Sequence, residues 1–267
     1  MARNAPPTPS PGRRPTLEVI RRAPVDAGNR PPLLFVHGLG HGAWCWEHWL
    51  DAAADAGYPA AAVSLRGHAG SGGSLRRATL GSYVDDVVRV AATFPRQVVL
   101  IGHSMGGLVV QRALARYAAR AAVLVAPVPA QPAVGSLICI ARRHPVDALR
   151  LMLGASLPLR PDYLFTGLPA ADATRLAARC GRESSLAQYQ MLFHRPSPPP
   201  RGKPPVLVLA TPNDHLVPLG GIRATARRYQ AEVKEFPGMG HDLMLDAGWE
   251  RPAEAMLTWL QRAPAPY

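Results

Sequence analysis

The sequence predicts an α/β protein built on a mostly parallel, doubly wound sheet with a helical segment inserted into it. Three observations carry this reading. Short apolar runs alternate with amphipathic stretches along most of the chain, the pattern of strands joined by crossover helices. Several of those runs, such as Leu33-Leu34-Phe35-Val36 and Val206-Leu207-Val208-Leu209-Ala210, are apolar at every position, as parallel strands buried on both faces must be. The alternation stops between Pro127 and about Pro205, an interval too long for a loop in a compact domain.

In order, Leu17 to Arg21 alternates as a half-buried strand does, and Leu33 to Val36 is the second strand. A helix is expected around Trp46 to Ala56, ended by Gly57. Ala60 to Leu65 is a strand, followed by a Gly-rich loop to Gly73. Ser82 to Thr93 reads as helix, Val98 to Ile101 as strand, Leu108 to Tyr117 as helix and Ala121 to Ala126 as strand. After the interruption come a strand (Val206 to Ala210), a helix (Gly221 to Tyr229), a strand (Glu232 to Phe236) and a last helix (Pro252 to Arg262). The expected organisation is a disordered Pro- and Arg-rich arm (1–15) and a core formed by 16–128 and 205–264. A helical lid (129–204) would cover the carboxyl ends of the strands, where such sheets bind ligands.

Composition narrows the function. With 267 residues, 48% of them hydrophobic, the chain can bury one large core. No apolar run approaches ~18 residues, so no transmembrane span is expected, and Met1 to Pro15 lacks the apolar centre of a secretory signal. Cys45, Cys139 and Cys180 have neither metal nor disulfide spacing, which fits the reduced thiols of a cytoplasmic protein. The net charge of +12 raises nucleic acid as a partner. However, all but two of the 30 basic residues are Arg, spread along the chain without a nucleic-acid-binding motif, so none is expected. No H-E-x-x-H and no carboxylate cluster is present, and neither a metal nor a cofactor is expected. The sequence is silent on oligomeric state.

The chemistry centres on Gly102-His103-Ser104-Met105-Gly106, placed between the strand ending at Ile101 and an amphipathic stretch. A strand turning sharply into a helix exposes the Ser at the tip of the turn, and the flanking glycines remove Cβ atoms from the bend. A Ser hydroxyl becomes a nucleophile only with a His to take its proton and a carboxylate to orient that His. The carboxylate is expected on a loop after a late strand, where Ala210-Thr211-Pro212-Asn213-Asp214 provides Asp214. The loop after Ala126 offers no carboxylate. The His is expected after the last strand, and Gly238-Met239-Gly240-His241 provides His241. Asp242, as its sequential neighbour, is poorly placed to orient the ring.

A tetrahedral intermediate needs two N–H donors for its oxyanion. Met105, just after the nucleophile, and Leu39, in His37-Gly38-Leu39-Gly40-His41-Gly42, are the candidates through their main chains. His37 is expected to brace that loop by a hydrogen bond, and His103 to be packed at the turn.

Taken together, these motifs resemble the α/β-hydrolase superfamily over roughly residues 17 to 263. His37-Gly38 with Gly42-Ala43-Trp44, Gly102-His103-Ser104-Met105-Gly106 and Gly240-His241 carry the resemblance. Leu65-Arg66-Gly67-His68 is similar to the family's loop after its fourth strand, although Ser64 stands where an Asp is usual. His37 to Trp46 is similar to the branch of methylesterases and hydroxynitrile lyases. The lyases carry Thr at the place of Gly38 and Lys at that of Asp242, and both departures argue against cyanohydrin cleavage. Gly-His-Ser-Met-Gly-Gly and Gly240 to Asp246 also resemble the monoacylglycerol lipase and lysophospholipase-like group. Ser104 excludes the Asp-nucleophile chemistries of dehalogenases and epoxide hydrolases, whereas thioester, lactone and carbon–carbon bond hydrolysis share the same three residues.

The resemblance implies a serine esterase acting on a small or medium carboxylic ester. A ligand-binding member of the same fold without turnover is the alternative from another class. The lid's apolar residues suit an apolar acyl or aryl group, with Leu149, Met152 and Phe193 as expected contacts. Arg142, Arg143 and Arg150 read as a solvated helix face.

Overall fold

Seven strands pair into one sheet in the computed structural model, which describes residues 14–262. The strands are β1 (Val19–Arg22), β2 (Leu33–Val36), β3 (Ala60–Val63), β4 (Val99–His103), β5 (Ala121–Val125), β6 (Val206–Ala210) and β7 (Glu232–Glu235). Their order is β1-β3-β2-β4-β5-β6-β7; β1 runs antiparallel to β3 and all other neighbours are parallel. Every residue of β2 to β6 is buried, so both faces of the central sheet are covered.

The covering helices outside the inserted segment are α1 (Glu47–Asp55), α2 (Leu80–Ala91) and α3 (Met105–Ala113), then α9 (Leu219–Tyr229) and α10 (Glu250–Arg262). Helix α2 starts two residues earlier than its apolar pattern suggests because Thr79 and Ser82 cap it reciprocally, each side chain pairing with the other's backbone N–H. Between β5 and β6 lie α4 (Val134–Arg143), α5 (Pro145–Met152), α6 (Pro161–Leu164), α7 (Ala170–Ala177) and α8 (Ser185–Phe193). Proline opens α5 and α6, where its missing N–H leaves no intrahelical bond unmade.

The parallel register brings the carboxyl ends of β2, β4, β5, β6 and β7 to one edge, with Val36 opposite Gly102 and His103 opposite Val125. All the loops of interest leave from that edge. Of the expected arm and core, residues 1–13 and 263–264 lie outside the described residues. Among the described residues, no helix is long and apolar enough to cross a membrane.

Candidate active site

Ser104 follows β4 directly and has a left-handed backbone, φ +51°, with its main-chain N–H bonded to Val125 O at 3.0 Å. A non-glycine residue in this region is strained, and tight packing around the turn sustains it. A Cβ on Gly102 would strike Gly106 O, and one on Gly106 would strike Val36 O and His37 O, so both positions require glycine. Helix α3 begins at once with Met105, three residues before the expected Leu108. The first N–H groups of a helix have no intrahelical acceptor, so the Met105 N–H, at the first position of α3, is left without one.

The structure brings Ser104, His241 and Asp214 into one line of hydrogen bonds. Ser104 Oγ lies 2.8 Å from His241 Nε2, and His241 Nδ1 lies 2.7 Å from Asp214 Oδ2. Asp214 is on the loop after β6, where its Oδ1 accepts from Leu216 N and Val217 N, each at 2.8 Å. Those bonds fix the carboxylate and leave Oδ2 for the imidazole. Burial disfavours the charged form of His241, and the neighbouring Asp214 carboxylate outweighs it, so the His241 pKa is raised. Nδ1 is then the protonated nitrogen of the neutral ring, and Nε2 is free to accept from the hydroxyl.

The loop after β2 is braced by His37 as expected. Leu65 N donates to His37 Nε2 at 2.9 Å, so Nδ1 carries the proton and donates to Gly38 O at 2.7 Å. Burial, with a smaller contribution from His68, holds the His37 pKa well below its ordinary value and keeps the ring neutral. Fixing Gly38 O fixes the peptide that carries the Leu39 N–H, because that plane is rigid. Leu39 itself lines the cavity that contains Ser104 and His241.

Asp242 does not orient His241. Its Oδ2 lies 2.9 Å from His41 Nε2, both groups being buried. His103 is buried, its Nε2 is 3.2 Å from His241 O, and burial lowers its pKa to about 3. His103, His241 and Asp242 hold ligand-type atoms within 4.8 Å of one another. Both His241 nitrogens are already engaged by Ser104 and Asp214, and Asp242 by His41, so this is a hydrogen-bond network and not an open coordination shell.

The inserted segment lines the cavity with Ile140, Leu151, Leu164 and Met191 from its helices and Leu157 from the connection between α5 and α6. Here the expected contacts need correction. Leu149, Met152 and Phe193 are 60%, 41% and 61% exposed and do not line the cavity. On α5, Ala148 and Leu151 face inward, one turn apart, so Leu149 and Met152 fall on the outer side. On α8, Met191 and Leu192 are buried and Phe193 closes the helix facing outward. Arg142, Arg143 and Arg150 are exposed, and Arg143 pairs with Asp162 at 2.9 Å.

Two buried carboxylates escaped the sequence reading. Glu183 accepts from Tyr83 Oη at 2.5 Å and from Gly40 N at 3.3 Å, and lies 3.0 Å from His68 Nε2. It ties the inserted segment to the loop after β2. Asp246 accepts from Thr166 N at 3.0 Å and Gly240 N at 2.5 Å, tying the segment to the His241 loop. Tyr83, His68 and Gly40 for Glu183, and Thr166 for Asp246, are remote in sequence from the carboxylates they meet, which leaves no local pattern. Ser64 Oγ accepts from Ala43 N at 2.8 Å and donates to Glu18 Oε2 at 2.5 Å. The carboxylate absent at position 64 thus comes from the edge of the sheet.

Comparison with known proteins gives a consistent picture. A family model described as the alpha/beta hydrolase family matches residues 33–256. Esterase PIR7B of Oryza sativa subsp. japonica is 35% identical over 118 residues, covering 42% of this chain and 43% of that protein. Methylesterase 18 of Arabidopsis thaliana is 24% identical over 210 residues, covering 68% of this chain and 79% of that protein. The chain spans about 40% of the length of the rice relatives it matches. Among solved structures, a soluble variant of monoglyceride lipase from Saccharomyces cerevisiae matches with a TM-score of 0.73 at 16% identity, covering 96% of this chain and 99% of that one.

Proposed function

Since the chain belongs to the alpha/beta hydrolase family, we propose that it is a serine hydrolase that cleaves small or medium carboxylic esters through an acyl-enzyme. The observation that carries the proposal is the unbroken path from Ser104 Oγ through His241 to Asp214, with bonds of 2.8 Å and 2.7 Å. The names of the relatives, an esterase and a methylesterase, point to the same class of bond.

In this mechanism Ser104 Oγ attacks the ester carbonyl while His241 Nε2 takes its proton. Asp214 stabilises the imidazolium that forms and keeps the ring in place. Negative charge gathers on the former carbonyl oxygen, which the Leu39 and Met105 N–H groups receive. His241 then gives its proton to the departing alcohol, leaving the acyl group on Ser104. Water attacks that acyl group with His241 again as base, and the acid is released. The segment 129–204 acts as a lid, whose apolar inner face holds the acyl or aryl group and excludes water.

A fluorophosphonate probe and p-nitrophenyl esters from acetate to palmitate test the proposal. Labelling at Ser104 with turnover of part of the series is expected. A folded protein that neither labels nor turns over any ester is a ligand-binding member of the fold, and the proposal fails.

A further inference from the structure

The cavity over Ser104 is walled almost entirely by hydrocarbon, yet two polar groups in its wall come from the inserted helices. Ser136, in the first turn of α4, has a buried Oγ with no hydrogen-bond partner, although its backbone N–H bonds Ala133 O at 3.0 Å. Gln188, on α8, is 2% exposed and lines the same cavity. Its Oε1 accepts from Leu157 N at 2.8 Å, which fixes the amide, while Nε2 makes only a long bond of 3.4 Å to Ala155 O. An amide nitrogen carries two protons, so donor capacity remains there. Helices α4 and α8 pack on one another, and Ala133 N at the start of α4 donates to Met191 O on α8 at 3.1 Å, one turn from Ser136 on the first helix and one turn from Gln188 on the second.

We propose that Ser136 Oγ and Gln188 Nε2 form a recognition site for a hydrogen-bond acceptor on the substrate, apart from the scissile ester, and so select an acyl group that carries an oxo substituent. The inference rests on the hydrolase reading above and adds the substrate class to it. A buried hydroxyl without a partner is unfavourable, and a plain hydrocarbon chain filling the cavity would leave it so. A chain with a carbonyl oxygen at the right place satisfies it, and the surrounding apolar wall strengthens the bond by excluding water. A pocket built around such a group discriminates against an analogue that lacks it more strongly than an apolar pocket discriminates by size.

The experiment compares p-nitrophenyl pentanoate, hexanoate and heptanoate with their 4-oxo, 5-oxo and 6-oxo counterparts, in the parent and in Ser136→Ala. At least one oxo ester is expected to exceed its unsubstituted partner in kcat/KM by about 10-fold or more, and Ser136→Ala to bring the ratio between the two back to about one. The thermal midpoint of Ser136→Ala should equal or exceed the parent's, because no bond within the protein is lost. Fluorophosphonate labelling of Ser104, measured in parallel, separates the two readings. Labelling with no oxo preference, or with a preference that survives in Ser136→Ala, overturns the recognition site alone. Absence of labelling and of all turnover overturns the hydrolase reading beneath it.

Discussion

Asp242 gives its carboxylate to His41, 201 positions away in sequence, and not to its neighbour His241. His41 Nδ1 lies 2.8 Å from Leu39 O while Nε2 faces Asp242, so both ring nitrogens meet acceptors and the imidazolium satisfies them together. Burial opposes that charge, but Asp242 outweighs it with a smaller contribution from the Cys180 sulfur, and the His41 pKa is raised well above its ordinary value. For Asp242 the same burial raises the pKa and His41 more than offsets it, leaving the carboxyl below its ordinary value. The pair thereby joins the loop of Leu39 to the loop of His241.

The sign of the pH effect follows. A raised histidine pKa contributes stability that is complete below about 6.5 and is lost as pH rises through the folded-state value. The lowered Asp242 pKa contributes stability above about 3.9 that is lost as pH falls through its folded-state value. Asp242→Asn leaves the His41 site unpaired and is expected to cost about 3–5 kcal/mol near neutrality. The deficit should shrink as pH rises through the His41 titration, because the parent then loses the same pairing. Urea unfolding at a series of pH values checks this, and a deficit constant from neutral to alkaline pH would show that the pair is not ionic.

In the proposed mechanism His241 takes the Ser104 proton only when neutral, and its pKa is raised. The acid limb of kcat/KM is therefore expected at a pH above about 6.5, with activity falling as pH drops through it. Ser104→Ala should lower kcat by on the order of 10³-fold or more while the thermal midpoint stays near that of the parent. Asp214→Asn should lower it by about 10⁴-fold, since the amide favours the wrong tautomer of His241. Retention of most activity in either variant would remove that residue from the mechanism.

Glu18 and Ser64 give a test of long-range bracing. Ser64→Ala leaves the Ala43 N–H without its acceptor, and Glu18→Gln weakens a charged hydrogen bond. Each should cost about 1–3 kcal/mol, and the double variant less than the sum, by about 0.5–3 kcal/mol of coupling. Strict additivity in denaturant titrations would show that the two side chains act independently.

Much of this arrangement was readable in the sequence for a physical reason. The central parallel strands are apolar throughout, so their ends are marked sharply, and Ser104 and Asp214 sit just past the ends of β4 and β6, whereas His241 follows the charged edge strand β7 and is marked by the glycines before it. Helix α3 was expected from Leu108 because Met105-Gly106-Gly107 has the composition of a turn. Its glycines are helical, with Gly106 seated against the end of β2, where no Cβ fits. The inserted helices were less legible, since apolar residues occur on more than one of their faces and only packing decides which face turns inward. Phe193 illustrates this. It is the bulkiest apolar side chain of α8 and is 61% exposed, while Met191 and Leu192 are buried.

That correction changes which substitutions should alter substrate choice. Leu151 and Ile140 line the cavity and are 5% and 4% exposed, whereas Leu149 and Phe193 lie on the outer surface. Shortening an inner side chain opens room for a longer acyl chain, and shortening an outer one removes nothing the substrate touches. Leu151→Ala is therefore expected to shift the preferred p-nitrophenyl ester to longer chains, with about 1–3 kcal/mol of altered discrimination, or 10- to 200-fold between neighbouring substrates. The same change is expected to cost about 2–5 kcal/mol of stability as a buried truncation. Ile140→Val, which removes one methyl at a cost of about 0.5–1.5 kcal/mol, separates a specificity effect from partial unfolding. Leu149→Ala and Phe193→Ala should keep the parent's chain-length profile and its rate of fluorophosphonate labelling. If the outer pair shifts the profile while Leu151→Ala and Ile140→Val do not, the acyl group lies outside this cavity and the segment does not enclose it as proposed.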